Sequence, residues 1–311
     1  MLDDLISVLR ELRHVPLVAA EVRRMLGCAE IERLRAELRA LGEDRLELHG
    51  WKAFSQGDED GILAEIFGRV GVRHHTFVEI GAGSGLENNT VYLLQQGWRG
   101  LWVEAGKRNS RRIAADFEQP LASGQLKLAA VAATAENVNA LVAEAQLAGE
   151  IDLLSVDVDG VDLYIWEALE AVTPRVVVIE YNGAFRPPVR WRIPYAASFR
   201  WDGRSTYYGA SLCALNDLAE RKGYLLVGCS LCGANAFFVR RELAAAFQEP
   251  YEPERLFQPP RYALKFGFGG GHRPGYGPAR ISEGDDGAAA VVRTEPRPAP
   301  STIRSSRTGS F

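Results

Sequence analysis

No apolar run in this chain approaches the roughly 20 residues that a bilayer-spanning helix requires, so no transmembrane segment is expected. No secretory leader is expected at the start either. The stretch MLDDLISVLRELRH mixes acids, bases and apolar residues, where a signal peptide has a basic start and an unbroken apolar run. A cytoplasmic location is the expectation. Cysteine is scarce, four in 311 residues, too few for a disulfide scaffold. Cys229 and Cys232 form a C-x-x-C pair, but a zinc site's second pair is absent and no thioredoxin-like helix opens there, so the pair reads as structural. An excess of basic charge is lacking too. Lys plus Arg is 36 against Asp plus Glu 40, a formal net charge of -4, which argues against a broad nucleic-acid-binding surface.

What is present is ordinary globular composition, 47% apolar and 24% charged, in a chain long enough for one large domain with appendages. Residues 3–47 read as helical. Leu2, Ile6, Leu9 and Leu12, then Ile31, Leu34, Leu38 and Leu41, recur at three- and four-residue steps. Pro16 and Gly27 interrupt the pattern, so two or three short helices are expected rather than one rod. Their amphipathic face suits closure over the main domain, a homo-oligomer contact or a partner subunit. From Thr76 onward TFVEI, LWVE, LKLAAV, IDLLSVD and VVVIEY read as buried strands, separated by helices near 87–97, 108–118, 136–147 and 162–170. This is successive βαβ structure with right-handed crossovers. A helix is expected from Gly209 to Lys222. YLLVGCS and NAFFVR then follow with only LCGA between them, too short for a helical crossover, so they are expected to be antiparallel neighbours. The expected organisation is a helical extension over 1–49, an α/β catalytic domain over 50–265 and a Gly-, Pro-, Arg- and Ser-rich tail over 266–311. His272, at the start of that tail, reads as solvent-exposed.

The first strand runs into a glycine-rich turn, FVEIGAGSGLENNT over 77–90. Gly81, Gly83 and Gly85 permit a tight bend and close approach of a ligand to the backbone. Glu79 sits at the strand end, where a carboxylate can accept from a bound amino group. The next strand ends in Glu104, placed for the two hydroxyls of a ribose. The fourth strand delivers SVDVDGVD over 155–162, and the fifth ends in Glu180, Tyr181 and Asn182. Ligand-facing residues of open α/β sheets lie at the carboxyl ends of strands, which brings Asp157, Asp159, Glu180 and Asn182 to one cleft. Asp162 reads as a helix cap. His74 and His75 precede the first strand at its amino end, away from that cleft, and read as structural.

FSQGDEDGIL (54–63), FVEIGAGSGLENNT (77–90) and GWRGLWVE (97–104) resemble, in order and spacing, the successive motifs of FkbM-like methyltransferases. The resemblance covers roughly residues 50–240 and extends to the later WDGRSTYYGAS and NAFFVR stretches. It implies the class I fold of methyltransferases that use S-adenosylmethionine (SAM), a Rossmann-like sheet closed by an antiparallel β-hairpin. An ordinary nicotinamide-binding domain does not end in such a hairpin. By this resemblance Ser55, Gln56 and Glu59 reach the methionine end of the cofactor, and Asn89 and Thr90 belong to the cofactor loop. Ser55 also suits the cap of a helix beginning near Asp58. Two positions depart from the pattern: Gly83-Ser84 stands for x-Asp, and Asn88-Asn89-Thr90 for Ser-Asn-Thr.

Like charges in one cleft repel unless a cation or shared proton relieves them. Asp157 or Asp159 with Glu180 and Asn182 therefore forms a candidate Mg²⁺ site, similar to that of metal-dependent O-methyltransferases. In the alternative, Asp157 orients substrate or SAM and the others bind neighbouring loops. Asp157 is the expected base without a metal, and Asp159 is the second catalytic candidate. Trp201, Asp202, Tyr207 and Tyr208 form a candidate wall for a small-molecule acceptor, though these aromatics also suit packing of the loop onto the sheet. Arg186, Arg190 and Arg192 can hold an anionic acceptor or form a solvated loop. The expected activity is SAM-dependent O-methylation of a sugar or other natural-product hydroxyl. Intramolecular displacement on the same fold, and a degenerate fold serving as a scaffold subunit, are the alternatives.

Overall fold

The computed structural model describes residues 15–42, 44–249 and 251–268. The first described element is α1 (Val15–Leu41), a helix of 27 residues that runs unbroken through Gly27, where an interruption was expected; the part of the expected helical stretch before Val15 lies outside the described residues. Pro16 lies in its first turn, where a missing N–H leaves no partner unpaired. Gly27 does not break it, because a helical glycine costs only about 1 kcal/mol against alanine and packing offsets that. Ile31, Leu34 and Leu38 bury against Leu231, Cys232 and Leu264, each worth roughly 1.5–3 kcal/mol relative to exposure. Leu2, Ile6, Leu9, Leu12 and His272 lie outside the described residues.

The rest is a seven-stranded sheet: β1 (Thr76–Ile80), β2 (Arg99–Val103), β3 (Leu126–Ala129), β4 (Gly149–Val156), β5 (Val172–Glu180), β6 (Tyr224–Cys229) and β7 (Asn235–Arg240). Their spatial order is β3-β2-β1-β4-β5-β7-β6. The first five strands are parallel, and β7 runs antiparallel to both β5 and β6. The helices are α2 (Glu59–Val70), α3 (Val91–Gln95), α4 (Lys107–Asp116), α5 (Glu118–Ala122), α6 (Val138–Glu144), α7 (Asp162–Ala168), α8 (Leu212–Arg221) and α9 (Pro253–Leu256). Among the described residues no helix is long and apolar enough to cross a membrane.

Strand alternation sends successive side chains to opposite faces. Phe77, Trp102, Leu153, Val176 and Val178 pack on one face with Ile62 and Ile66 of α2 and Ile113 of α4. Val78, Leu101, Leu154, Val177 and Ile179 pack on the other with Val138 of α6, Trp166 of α7 and Leu215 of α8. Both faces are covered, which is why these strands read as continuous apolar runs. At the amino end of the sheet the buried Asp152 is satisfied: it accepts from the backbone N–H of Arg73 (2.9 Å), His74 (2.7 Å) and Thr76 (3.4 Å) and pairs with Arg175 (3.7 Å). His74 is spent there on Glu150 at 3.2 Å, and His75 lies edge-on to Trp98.

Candidate active site

The carboxyl end of the sheet is built differently. The turn after β1 folds over the end of β2, with the N–H groups of Gly81 and Ala82 donating to Val103 O (2.9 and 3.2 Å). Gly81 has φ +93°, and a Cβ there would stand 1.6 Å from Asp157 O, so only glycine lets β1 and β4 end side by side. A Cβ on Gly85 would meet Trp102 and Phe117 at 2.9 Å, which assigns that glycine to core packing. A cavity of about 240 Å³ opens between the strand ends, and Gly81, Gly83, Glu104, Asp157 and Asp159 are in its wall. Asn109, residues Val131–Ala133, Phe199 and Arg200 also line it. None of these belongs to a motif. For Val131–Ala133 the position just beyond β3 was the available signal.

Glu104 braces the turn, its carboxylate accepting from the N–H of Gly83 (2.8 Å) and Gly106 (2.6 Å). Glu79 is not in the cavity wall. Buried at 3% exposure, it accepts from Asn89 N–H (2.9 Å), Ser155 Oγ (3.2 Å) and Thr90 Oγ1 (2.5 Å), tying β1 to β4 and to the segment before α3. Burial pushes its pKa up to about 7 against these hydrogen bonds. Ser55 is buried and in reciprocal contact with Asp60, whose Oδ2 accepts from Ser55 N–H at 2.9 Å while Ser55 Oγ accepts from Asp60 N–H at 3.3 Å. Ser55 Oγ thereby meets an N–H in the first turn of α2 from outside the helix, whose N-cap residue, Asp58, makes no side-chain capping bond. Glu59 is buried and accepts from Gly57 N–H (2.8 Å) and Asn235 Nδ2 (3.0 Å), whereas Gln56 is exposed.

Asp157, Asp159 and Glu180 converge: one carboxylate oxygen of each lies within 4.8 Å of the others. Asp159 sits at φ +56°, a left-handed conformation that turns the chain back over the end of β4. Asp162, from the first turn of α7, fixes this bend by accepting from Val158 N–H (2.7 Å) and Gly160 N–H (2.8 Å). Burial, then the neighbouring carboxylates, raises the pKa of Asp157 and of Glu180 well above the usual range. Glu180 Oε2 is buried with no hydrogen-bond partner. Asn182 faces the loop beyond β5 instead: its Nδ2 donates to Thr206 O and Tyr208 O (both 2.8 Å) and its Oδ1 accepts from Ala184 N–H (3.2 Å).

Of the expected acceptor wall, Trp201 lies against Tyr208 with ring centroids 4.6 Å apart. Tyr207 is 53% exposed and meets Trp191 edge-on. Asp202 shapes the loop, its Oδ1 accepting from the N–H groups of Arg204 and Ser205 (2.8 Å each). Arg190 pairs with Asp217 at 2.9 Å, Arg192 lies over Tyr164 and Arg186 is exposed. Cys229 and Cys232 are buried free thiols.

Five parallel strands closed by an antiparallel seventh, inserted between the fifth and sixth, define the class I SAM-dependent methyltransferase fold. No family model matches the chain, and neither does any curated protein. Among solved structures the chain is similar to magnesium protoporphyrin IX methyltransferase from Synechocystis, solved with bound SAM. The identity is 12% and the TM-score 0.39, over 58% of this chain and 77% of that one. It is also similar to a TehB-like SAM-dependent methyltransferase from Corynebacterium glutamicum, at 14% identity and a TM-score of 0.36, over 68% of this chain and 98% of that one.

Proposed function

We propose that this chain is an FkbM-like, SAM-dependent O-methyltransferase acting on a hydroxyl of a sugar or other small natural product. The observation that carries this reading is the convergence of Asp157, Asp159 and Glu180 beside the cavity formed by the glycine turn. SAM, when bound, supplies a methyl group on a sulfonium, so the protein's task is alignment and proton acceptance. The wall of Gly81, Gly83 and Glu104 presents close backbone and a carboxylate to a nucleoside, which suits that cofactor. Asp157 borders both the cavity and the carboxylate cluster and, without a metal, takes the acceptor's hydroxyl proton on a carboxylate oxygen.

The cluster also fits a divalent cation of the Mg²⁺ type. Its donors are all oxygens, and Glu180 keeps one buried oxygen unsatisfied. Asp157, Asp159 and Glu180 would hold the ion, whereas the side chain of Asn182 is taken up by the loop beyond β5. The ion would acidify an acceptor hydroxyl and orient it. Trp201, Tyr207 and Tyr208 would flank the acceptor. Val18, Val22 and Met25, exposed on α1, support pairing with a second subunit.

The test is incubation with SAM and a panel of hydroxylated acceptors, with and without chelation and Mg²⁺ restoration. S-adenosylhomocysteine (SAH) is expected in equal amount to a methylated product, and chelation is expected to abolish both. Acceptor conversion without SAM consumption would replace methyl transfer by displacement. Turnover unchanged by chelation would remove the metal.

A further inference from the structure

The segment after β7 lies outside the motif series, yet the fold holds it by close contacts. Two glycines at the carboxyl end of the sheet make room for it. A Cβ on Gly183 would stand 2.6 Å from Pro260, and one on Gly233, at φ +73°, would stand 2.2 Å from Pro259 O. Tyr181 Oη donates to Gln258 O at 2.5 Å, and Arg261 N–H donates to Cys232 O at 2.7 Å. Beyond these crossings comes a 3₁₀ turn, Tyr262–Phe266, against which α1 is packed. A Cβ on Gly27 would lie 2.8 Å from Gly267 Cα, and Cys28 Sγ contacts Gly267 O at 3.1 Å. Side chains larger than hydrogen at positions 27, 183 or 233 would displace this segment.

What the segment delivers is Tyr262. Its hydroxyl lies 3.2 Å from that of Tyr208, and the backbone of Tyr208 is held by Asn182, two residues beyond Glu180 of the carboxylate cluster. Tyr208 is 7% exposed and Tyr262 48%. A hydrogen bond between two phenols uses one proton and leaves the other free to donate. The accessible member, Tyr262, is the one able to meet a ligand.

We propose that Tyr262 is an acceptor-positioning residue that binds a second hydroxyl of a polyhydroxylated acceptor, and that α1 serves to hold it against Tyr208 and the carboxylate cluster. This rests on the methyl-transfer reading for the identity of the ligand, but not for the placement of the residue. It gives the N-terminal helix and the C-terminal segment one joint role in a site that the motif series assigns wholly to residues 54–240.

The experiment uses the full chain labelled with 3-fluorotyrosine and observed by ¹⁹F NMR at one pH, with the Tyr262 resonance assigned by its loss in Tyr262→Phe. The resonance is expected to move by more than a linewidth in Tyr208→Phe, in Glu180→Gln and in Gly27→Ala. Circular dichroism and SAH calorimetry confirm that each variant is folded. A resonance indifferent to Tyr208→Phe and Glu180→Gln overturns the placement, and one indifferent to Gly27→Ala overturns the role of α1. With any acceptor that the wild type methylates, Tyr262→Phe is expected to raise KM about five- to tenfold, with a smaller change in kcat, as loss of one neutral hydrogen bond requires. An unchanged KM overturns the positioning role. If the wild type methylates no acceptor, methyl transfer fails as a reading, while the NMR result still decides whether Tyr262 belongs to the carboxylate site.

Discussion

Glu79 sets two large effects against each other, and the pH dependence of stability decides between them. Its carboxylate is buried, and removing an ion from water costs several kcal/mol even in a relaxed protein. Against this stand three donors. Thr90 Oγ1 already accepts from Trp102 Nε1 at 2.7 Å, and Ser155 Oγ from Asn89 Nδ2 at 3.1 Å, so both hydroxyl protons are directed at Glu79. Hydrogen bonds to a charged group contribute about 1.5–3 kcal/mol each. Burial wins in the balance that places the pKa near 7, above the 4.5 of a free glutamate. The native state then keeps its proton where the unfolded chain has lost it. Stability from this group is therefore full below pH 4.5 and is lost as pH rises through 7. The total is roughly 3 kcal/mol, most of which falls between pH 5 and 8. Glu79→Gln mimics the protonated form and cannot titrate. Urea unfolding of both proteins at pH 5 and pH 8 is expected to show the wild type losing roughly 2–3 kcal/mol relative to the variant, since other titrating groups cancel in the difference. A difference that moves the other way would mean that the three hydrogen bonds outweigh desolvation, and would refute the reasoning.

Gly81→Ala drives a Cβ into Asp157 O at a positive φ, and is expected to destabilise the fold by roughly 3 kcal/mol or more in the same unfolding assay. Asp157→Asn is expected to lower kcat about 10²–10⁴-fold, as loss of a general base does. SAH affinity by calorimetry should stay within about threefold. For Cys229 and Cys232 burial pushes both thiols up. A thiol reagent should therefore reach them only on unfolding, and Cys229→Ser/Cys232→Ser should bind SAH as the wild type does.

The sheet was legible because both its faces are covered. Buried parallel strands leave continuous apolar runs, and the four residues between YLLVGCS and NAFFVR dictate an antiparallel closure. The N-terminal helix was misread at Gly27 because a local break signal and a packing contact look alike in sequence. What distinguishes them is Gly267, 240 residues away. At the site, strand-end position alone indicated Asp157, Asp159 and Glu180, whose convergence follows from β4 and β5 being neighbours. The orientation of Asn182 toward the loop was not legible, since its partners are the carbonyls of Thr206 and Tyr208. Tyr262 could not be found at all, because its place depends on glycines in three separate parts of the chain and on no pattern around itself.

The central claim is that the cleft formed by the glycine turn, Glu104 and Asp157 is a SAM site. The most direct measurement is isothermal titration of SAH into the full-length chain, wild type and Glu104→Gln, without acceptor. One SAH per chain is expected, with affinity reduced about tenfold or more in the variant through loss of a charge-assisted hydrogen bond to the ligand. Absence of binding to the wild type, or equal affinity in both proteins, would contradict the account.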